Sequence, residues 1–194
     1  MAKRTVITGL NKLYYALMKD EDAETYDAVK YFPGLREVTV APKEETGSIF
    51  AENVEWETDS ALGEIEVSLD ITDIPAEIVA EVLGKKKATT GGYIDNANDV
   101  KPYVAIMFDK TLTGGISEYV TLYKGKFNLF EDKAKTKEGK PEFQSKTITA
   151  KFLPLKNGDW KYAVRSNDTD FDKTTWATKW GKEVIKGEIK PETP

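Results

Sequence analysis

The side chains available for chemistry in this sequence are carboxylates, lysines, tyrosines and hydroxyls, because its 194 residues include no histidine and no cysteine. Without cysteine the chain has no thiol nucleophile, no thiolate metal ligand and no disulfide. Without histidine it also lacks the most common general base and metal ligand near neutral pH. Serine–histidine and cysteine–histidine catalysis are therefore excluded, and an enzyme of this composition would depend on carboxylates, lysine or tyrosine.

One candidate nucleophile is Asp109, which begins the sequence Asp-Lys-Thr after the apolar segment 102–108. Enzymes that form an aspartyl-phosphate use an aspartate in this setting and continue with Gly-Thr. This chain has Leu112 and Thr113 there, and it lacks the alternation of parallel strands and helices that such enzymes need. A strand that leads into the Gly114-Gly115 turn explains these residues without catalysis.

Three aspartates, Asp168, Asp170 and Asp172, have the alternate spacing that opens a calcium-binding loop. That loop requires glycine at its sixth position and a bidentate glutamate at its twelfth, where this sequence has Lys173 and Lys179. An acidic turn explains the aspartates better, so we expect no metal site.

Carboxylates and tryptophans leave two further alternatives. A glycosidase needs a pair of carboxylates across a cleft, but among 33 acidic residues some pair is always close. The tryptophans could supply a sugar-binding platform, with Trp56 or Trp160 as candidates, although tryptophan more often belongs to cores and interfaces. We expect no enzymatic activity, catalytic residue or cofactor, and we keep a carbohydrate-binding or cell-surface-binding module and a glycosidase as alternatives.

The elements that position these residues are mostly strands. In the segment 64–72, the alternation of Ile65, Val67, Leu69 and Ile71 with polar residues predicts a strand with one face toward a core. The same criteria, with a weaker signal for 48–58, predict strands at 12–19, 36–41, 48–58, 64–72, 102–110, 118–130, 146–155 and 159–166. The sequence therefore predicts a mainly β protein of the α+β class.

The turn between the last two predicted strands contains Asn157-Gly158. Asn-Gly between two strands is the strongest short signal for a tight β-hairpin, so we expect these two strands to pair with each other.

One short helix is predicted at residues 75–83, where apolar residues recur at intervals of three and four and form one stripe. Pro75 suits its first turn, Thr72 or Asp73 is expected to cap it, and Gly84 suits a left-handed C-terminal cap. A helix of about nine residues is marginal in isolation, so it must pack on a sheet.

Residues 42–63 are predicted to form a loop that is too long for a tight hairpin, and loops of that length are usually functional. The segment combines an apolar centre with an acidic rim, as protein interfaces do. Its candidate interface residues are Glu44, Glu45, Ile49, Phe50, Glu52 and Trp56.

Residues 167–194 are expected to form a C-terminal arm after a domain of residues 1–166. Trp176 and Trp180 share one face if the segment 174–184 is helical, and Asp172 is placed to cap that helix. The tryptophans are candidate interface residues that dock on a neighbouring subunit, or they pack on the sheet of their own chain.

The formal net charge of −5 makes double-stranded DNA an improbable tight partner, because phosphate contacts need a basic surface. The longest apolar run is far shorter than the ~20 residues that span a bilayer. Thr5, Thr8 and Asn11 interrupt the N-terminal apolar residues, so we expect neither a secretory signal nor contact with a membrane.

Several stretches in a fixed order resemble a known family. They are "GLNKLYYALM", "PGLREVTVAP", "FAENVEWET", "EIEVSLDITDIPAEIVAEVLG", "PYVAIMF", "SEYVTLYKGKF" and "KTITAKFLPLKNGDWK". This series resembles the major tail protein of long-tailed bacteriophages with non-contractile tails, over about residues 5–185. The resemblance implies an antiparallel β-sandwich, or flattened barrel, flanked by one helix. It further implies hexameric rings around a channel, stacked through a long loop and the termini.

The resemblance makes a structural, non-enzymatic tail tube subunit the leading hypothesis. The partners it implies are further copies of the chain, a tape-measure protein inside the tube, and tail terminator and tail-tip proteins. Phage DNA would pass through the tube without specific binding. The subunit would reside in the virion after assembly in the host cytoplasm. Tubes of contractile tails, bacteriocins and type VI secretion systems share the implied fold and remain alternatives.

Overall fold

The computed structural model describes residues 4–136 and 144–188 of the chain. Within that part, strands dominate and two short helices interrupt them. In chain order the elements are β1 (Ile7–Asp20), β2 (Thr25–Tyr26), β3 (Lys30–Phe32), β4 (Leu35–Ala51), β5 (Val54–Ile71), α1 (Ala76–Leu83), β6 (Lys86–Lys87), β7 (Tyr93–Ile94), β8 (Val104–Leu112), β9 (Ile116–Phe127), β10 (Lys146–Leu153), β11 (Lys161–Arg165) and α2 (Lys173–Lys179).

Nine of the described strands form one antiparallel sheet in the order β2-β1-β8-β9-β10-β5-β4, with β3 paired to β1 and β11 paired to β9. The short strands β6 and β7 form a separate ribbon. The sheet does not close into a barrel, since β4 pairs only with β5, and β11 only with β9, among the described residues. Its inward side chains and α1 enclose one hydrophobic cluster. This confirms the prediction of a mainly β sandwich with a small helix.

Strand β5 shows how the sequence sets this core. Ile65, Val67, Leu69 and Ile71 are each 0% exposed, as their alternation predicts. Because side chains alternate between the faces of a strand, a slip of one residue would expose all four. Inward residues of β8, β9 and β10 and the apolar face of α1 complete the same cluster.

Strands β10 and β11 do not form the hairpin that Asn157-Gly158 predicts. Both pair antiparallel with β9, β10 at residues 124–127 and β11 at residues 118–122. The Leu155 N–H donates to the Asp159 carbonyl over 2.7 Å and closes a local loop between them. The Asn-Gly turn therefore lies in a loop that interrupts a single line of pairing along β9.

The predicted helix is present as α1 at Ala76–Leu83, but its capping differs from the prediction. Pro75 occupies the N-cap position and no side chain caps it, because Thr72 and Asp73 lie three and two residues before the cap. At the other end Gly84 has φ 67°, the left-handed conformation that the sequence predicts. A Cβ atom at Gly84 would collide with the Val100 carbonyl oxygen, so glycine is also needed for close packing.

Glu81 connects α1 to the sheet. Its carboxylate accepts hydrogen bonds from the Tyr15 hydroxyl at 2.8 Å and from the Lys30 ammonium at 2.7 Å. Burial by itself raises the pKa of Glu81, but the hydrogen bonds and positive charge supplied by Lys30 and Tyr15 outweigh it, so the pKa lies below the usual value. The anionic form of Glu81 therefore stabilises the fold.

Replacing Glu81 with glutamine should lower the free energy of unfolding by about 1–2 kcal/mol near neutral pH, since charge-assisted hydrogen bonds are lost. Because the pKa is lowered in the folded state, the contribution is present above the unfolded pKa of ~4.3 and disappears as the pH falls through the folded value. Urea unfolding at pH 7 and pH 3 measures the difference. Glu77→Gln, an exposed residue of the same helix, is the matched control and should change stability by less than ~0.5 kcal/mol.

Candidate functional site: the projecting hairpin and the C-terminal arm

Residues 42–63 do not form the predicted irregular loop. Strands β4 and β5 pair with each other from Leu35–Ile71 out to Ala51–Val54. Glu52 and Asn53, with φ of 53° and 60°, make the two-residue turn between them. Positive φ at both central positions is the geometry that a two-residue hairpin turn requires, and asparagine tolerates it. The turn lacks the glycine that usually signals a hairpin, so no local pattern predicts it.

The outer part of this pair, residues 43–63, is a projecting hairpin. The third strand, β10, pairs with β5 only as far as Ile65, so beyond that residue β4 is the single neighbour of β5 among residues 4–136 and 144–188. Every side chain from Val54 to Leu62 is exposed. Nine residues from Lys43 to Ala51 extend about 30 Å at ~3.3 Å each. An isolated two-stranded hairpin is marginally stable in water, so this element gains little stability from its own two strands.

The candidate interface residues lie along the projecting hairpin. Ile49 is 63% and Trp56 is 72% exposed, and Glu44, Glu45 and Glu52 are exposed too. The backbone of Phe50 pairs with Glu55, and its side chain lies outside what the structure describes.

Two further exposed apolar residues on the hairpin were missed by the sequence analysis. Val54 and Leu62 are 65% and 46% exposed. Once the turn is placed at Glu52-Asn53, Val54 becomes a residue of the hairpin tip. With Ile49 and Trp56 they are four exposed apolar side chains distributed from the tip to the base of the hairpin.

A polar cluster braces the tip of the projecting hairpin. The Glu55 carboxylate accepts hydrogen bonds from the Ser48 hydroxyl and, at 2.6 Å, from the Thr58 hydroxyl. These two hydrogen bonds, the first from Ser48, lower the pKa of Glu55 and keep it ionised. The cluster joins β4 to β5 across the hairpin near its tip.

The projecting hairpin also carries the net charge of the molecule. Residues 43–63 contain one lysine and six acidic residues, a formal charge of −5, and the whole chain has a formal charge of −5. The remaining residues are therefore neutral overall. Like charges repel, so two projecting hairpins are unsuited to contact each other directly.

The C-terminal arm packs on its own chain. Helix α2 begins after Asp172, whose carboxylate accepts from the Thr174 N–H at 2.9 Å, as predicted. Trp176 is 6% exposed, and its ring lies 4.9 Å from the Tyr119 ring of β9. Of the two alternatives left open for the tryptophans, Trp176 therefore follows the second, packing on the sheet of its own chain, because the outer face of the sheet supplies an aromatic surface that covers it.

Trp180 lies against the same surface. Its ring meets the Tyr119 ring at 4.9 Å and the Tyr14 ring at 6.3 Å, in both cases edge to face. Residues 189–194 of the arm lie outside the described part of the chain.

Asp109, Asp168 and Asp172, which the sequence offered as a candidate nucleophile and candidate metal ligands, accept hydrogen bonds from neighbouring residues. Asp109 lies within β8 and accepts from the Asn11 amide at 2.6 Å. Asp168 accepts from the Arg165 N–H at 2.8 Å, and Asp172 caps α2. Among residues 4–136 and 144–188, no three acidic side chains come together in a way that could hold a metal ion. No helix of the same residues is long and apolar enough to cross a membrane.

The fold and these surfaces define a class, a β-sandwich protein with a long projecting hairpin. A family model described as phage tail tube protein matches residues 41–193. Since this match covers most of the 194 residues, the chain belongs to the phage tail tube protein family. It is thus a structural component of a phage tail, as the sequence resemblance indicated. No curated protein matches the chain.

Replacement of the buried Trp176 and of the exposed Trp56 should have different effects on the stability of the monomer. Trp176→Ala should lower the free energy of unfolding of the monomer by ~3–5 kcal/mol, because a large buried aromatic leaves a cavity. Trp56→Ala removes an equally large side chain from the exposed hairpin and should change the free energy of unfolding by less than ~0.5 kcal/mol. Thermal unfolding of the purified monomers measures both. Equal melting temperatures for the wild type and Trp176→Ala would refute the packing of the arm described above.

Proposed function

We propose that this chain is the tail tube subunit of a phage with a non-contractile tail, and that it assembles into stacked hexameric rings. The observation that carries the proposal is the projecting hairpin of a tail tube family member, which exposes Ile49, Val54 and Trp56 and is unsupported in the free chain. Exposed apolar side chains on a hairpin with so little support are expected where a contact forms on assembly.

Ring formation would use the edges of the sheet. β4 and β11 each have one sheet neighbour among the described residues, so each leaves a row of backbone N–H and C=O groups unpaired. Pairing of these edges between adjacent copies would satisfy the groups and continue the sheet around the ring. The projecting hairpin would reach the next ring, with Glu44, Glu45, Ile49, Phe50, Glu52 and Trp56 at the contact.

The channel of such a tube would carry DNA during ejection into the host without gripping it. On the outward face of β4 and β5 the lysines are already paired with carboxylates of the same chain. Lys43 lies 3.5 Å from both Glu64 and Glu66, and Lys151 of β10 lies 2.5 Å from Glu64. Together with the net charge of −5 for each copy, this pairing leaves little free positive charge for phosphate.

The further partners belong to the same proposal. The tape-measure protein would lie inside the tube, and terminator and tip proteins would close its two ends. The subunit would be assembled in the host cytoplasm and reside in the virion.

Shortening the projecting hairpin should separate folding from assembly. Thr46 pairs with Ser60, so replacing Gly47–Asp59 with Asn-Gly joins the two strands by a favourable two-residue turn. This variant should remain a folded monomer whose melting temperature is close to that of the wild type, because the hairpin contributes nothing to the core. It should form no tubes by negative-stain electron microscopy under conditions in which the wild type does. Tubes formed by the shortened variant would show that the hairpin does not stack rings.

A further inference from the structure

The loop between β10 and β11 contains a reactive pair of residues that the proposed function does not use. Of the seven asparagines in the sequence, Asn157 is the one that a glycine, Gly158, follows. The side chain of an asparagine can be attacked by the backbone nitrogen of the next residue, and asparagine is one of the thermolabile residues for this reason. Glycine lacks the Cβ atom that would hinder the attack. Both residues are exposed, so solvent water reaches them.

The reaction is deamidation, and water is its only co-reactant. The Gly158 nitrogen loses its proton and forms a bond to Cγ of Asn157, while the bond from Cγ to Nδ2 breaks and ammonia leaves with that proton. Water then adds to one of the two carbonyls of the five-membered succinimide ring that results. Addition at one carbonyl gives an aspartate at position 157. Addition at the other gives an isoaspartate, in which the main chain is one carbon longer.

In the folded chain the groups that must react are held in other hydrogen bonds. The Gly158 N–H donates to the Leu155 carbonyl at 2.9 Å, which keeps the proton on the attacking nitrogen. The Asn157 amide donates through Nδ2 to the Asp159 carboxylate at 2.7 Å, and its Oδ1 accepts from the Asp159 N–H at 3.0 Å. The side chain of Asn157 therefore has to break two hydrogen bonds with Asp159 before it can turn toward the Gly158 nitrogen.

Contacts with the rest of the chain keep this loop closed. Leu155 is 5% exposed, and its N–H donates to the Asp159 carbonyl at 2.7 Å. The Lys156 N–H donates to the Glu24 carboxylate at 2.7 Å, and the Lys156 ammonium donates to the Asp22 carbonyl at 2.9 Å. The loop is thus tied to the turn that follows β1. Opening it requires the loss of several contacts at once, so the open state is rare.

We propose that Asn157 is a deamidation site that the folded loop keeps closed, with Asp159 as the positioning residue that holds its side chain. The reaction then proceeds through molecules in which the loop is open, and its rate follows the population of that state. An aspartate at position 157 would place a second negative charge beside Asp159, where the amide now donates, and like charges repel. Deamidation therefore weakens the loop in which it occurs. The inference goes beyond the proposed function and applies to the monomer as well as to any assembly.

Mass spectrometry of the purified wild-type chain tests the protection. Deamidation replaces an NH2 group with OH, and peptide mapping assigns this mass change to Asn157. During incubation at mildly alkaline pH, the folded protein should react about tenfold or more slowly than the same protein unfolded in urea, because hydrogen bonds hold the reacting groups apart. Equal rates in buffer and in urea would overturn the proposal.

Variants of Asp159 test its role as the positioning residue. Asp159→Ala removes the acceptor of the Asn157 amide and should raise the rate in the folded protein about tenfold, toward the rate in urea. Asp159→Asn keeps an oxygen acceptor at the same place and should retain the slow rate. Asp132→Ala, an exposed aspartate outside the loop, is the matched control and should leave the rate unchanged.

Thermal unfolding before incubation shows whether each variant is folded. If Asp159→Ala does not fold, Asp159→Asn and the comparison of wild type in buffer and urea still decide the question. A folded Asp159→Ala variant that deamidates as slowly as the wild type would overturn the role of Asp159.

Discussion

The pairing register of β5 is the constraint on which the rest of the structure depends. Its inner half faces the core through Val67 and its neighbours and is held between β4 and β10. Its outer half does not pair with β10 and, among the described residues, pairs only with β4 to form the projecting hairpin. Its C-terminal end, Ile71, is followed after four residues by α1. A slip of one residue would expose the core residues and reverse the faces of the hairpin together. The core and the projecting hairpin are therefore coupled through one strand.

The C-terminal arm and the projecting hairpin differ in how well they pack on the rest of the chain. The arm covers the outer face of β9 with an aromatic cluster, in which Trp176 is buried on Tyr119. The hairpin, by contrast, carries exposed Ile49 and Trp56 and the entire net charge. A monomeric protein gains nothing from such an element, because an unsupported two-stranded ribbon with exposed apolar residues favours aggregation. In the tube of stacked rings that we propose, a neighbouring copy would support the same element.

The sequence predicted the elements whose signals are local. Alternation located the inner half of β5, the apolar stripe and Gly84 located α1, and Asp172 marked the start of α2. The predictions that were wrong concern structure that depends on contacts between residues far apart in the sequence. Asn157-Gly158 is typical of a hairpin turn, but the two strands that flank it, β10 and β11, both pair with β9 and not with each other. Residues 42–63 lack alternation because both faces of the hairpin are exposed, so no core imposes a period on them. The burial of Trp176 depends on the outer face of β9, which no local pattern reveals.

The central claim is that this chain completes its structure by joining other copies, with the projecting hairpin as the principal element that does so. Amide hydrogen exchange of the purified monomer and of assembled tubes tests it most directly. In the monomer, the amides of residues 43–63 should exchange fast, since a two-stranded ribbon opens readily, while those of Val67 and Leu69 exchange slowly. In the tube, the hairpin amides should become strongly protected and those of the core should change little. Hairpin amides that exchange equally fast in monomer and tube would contradict the account.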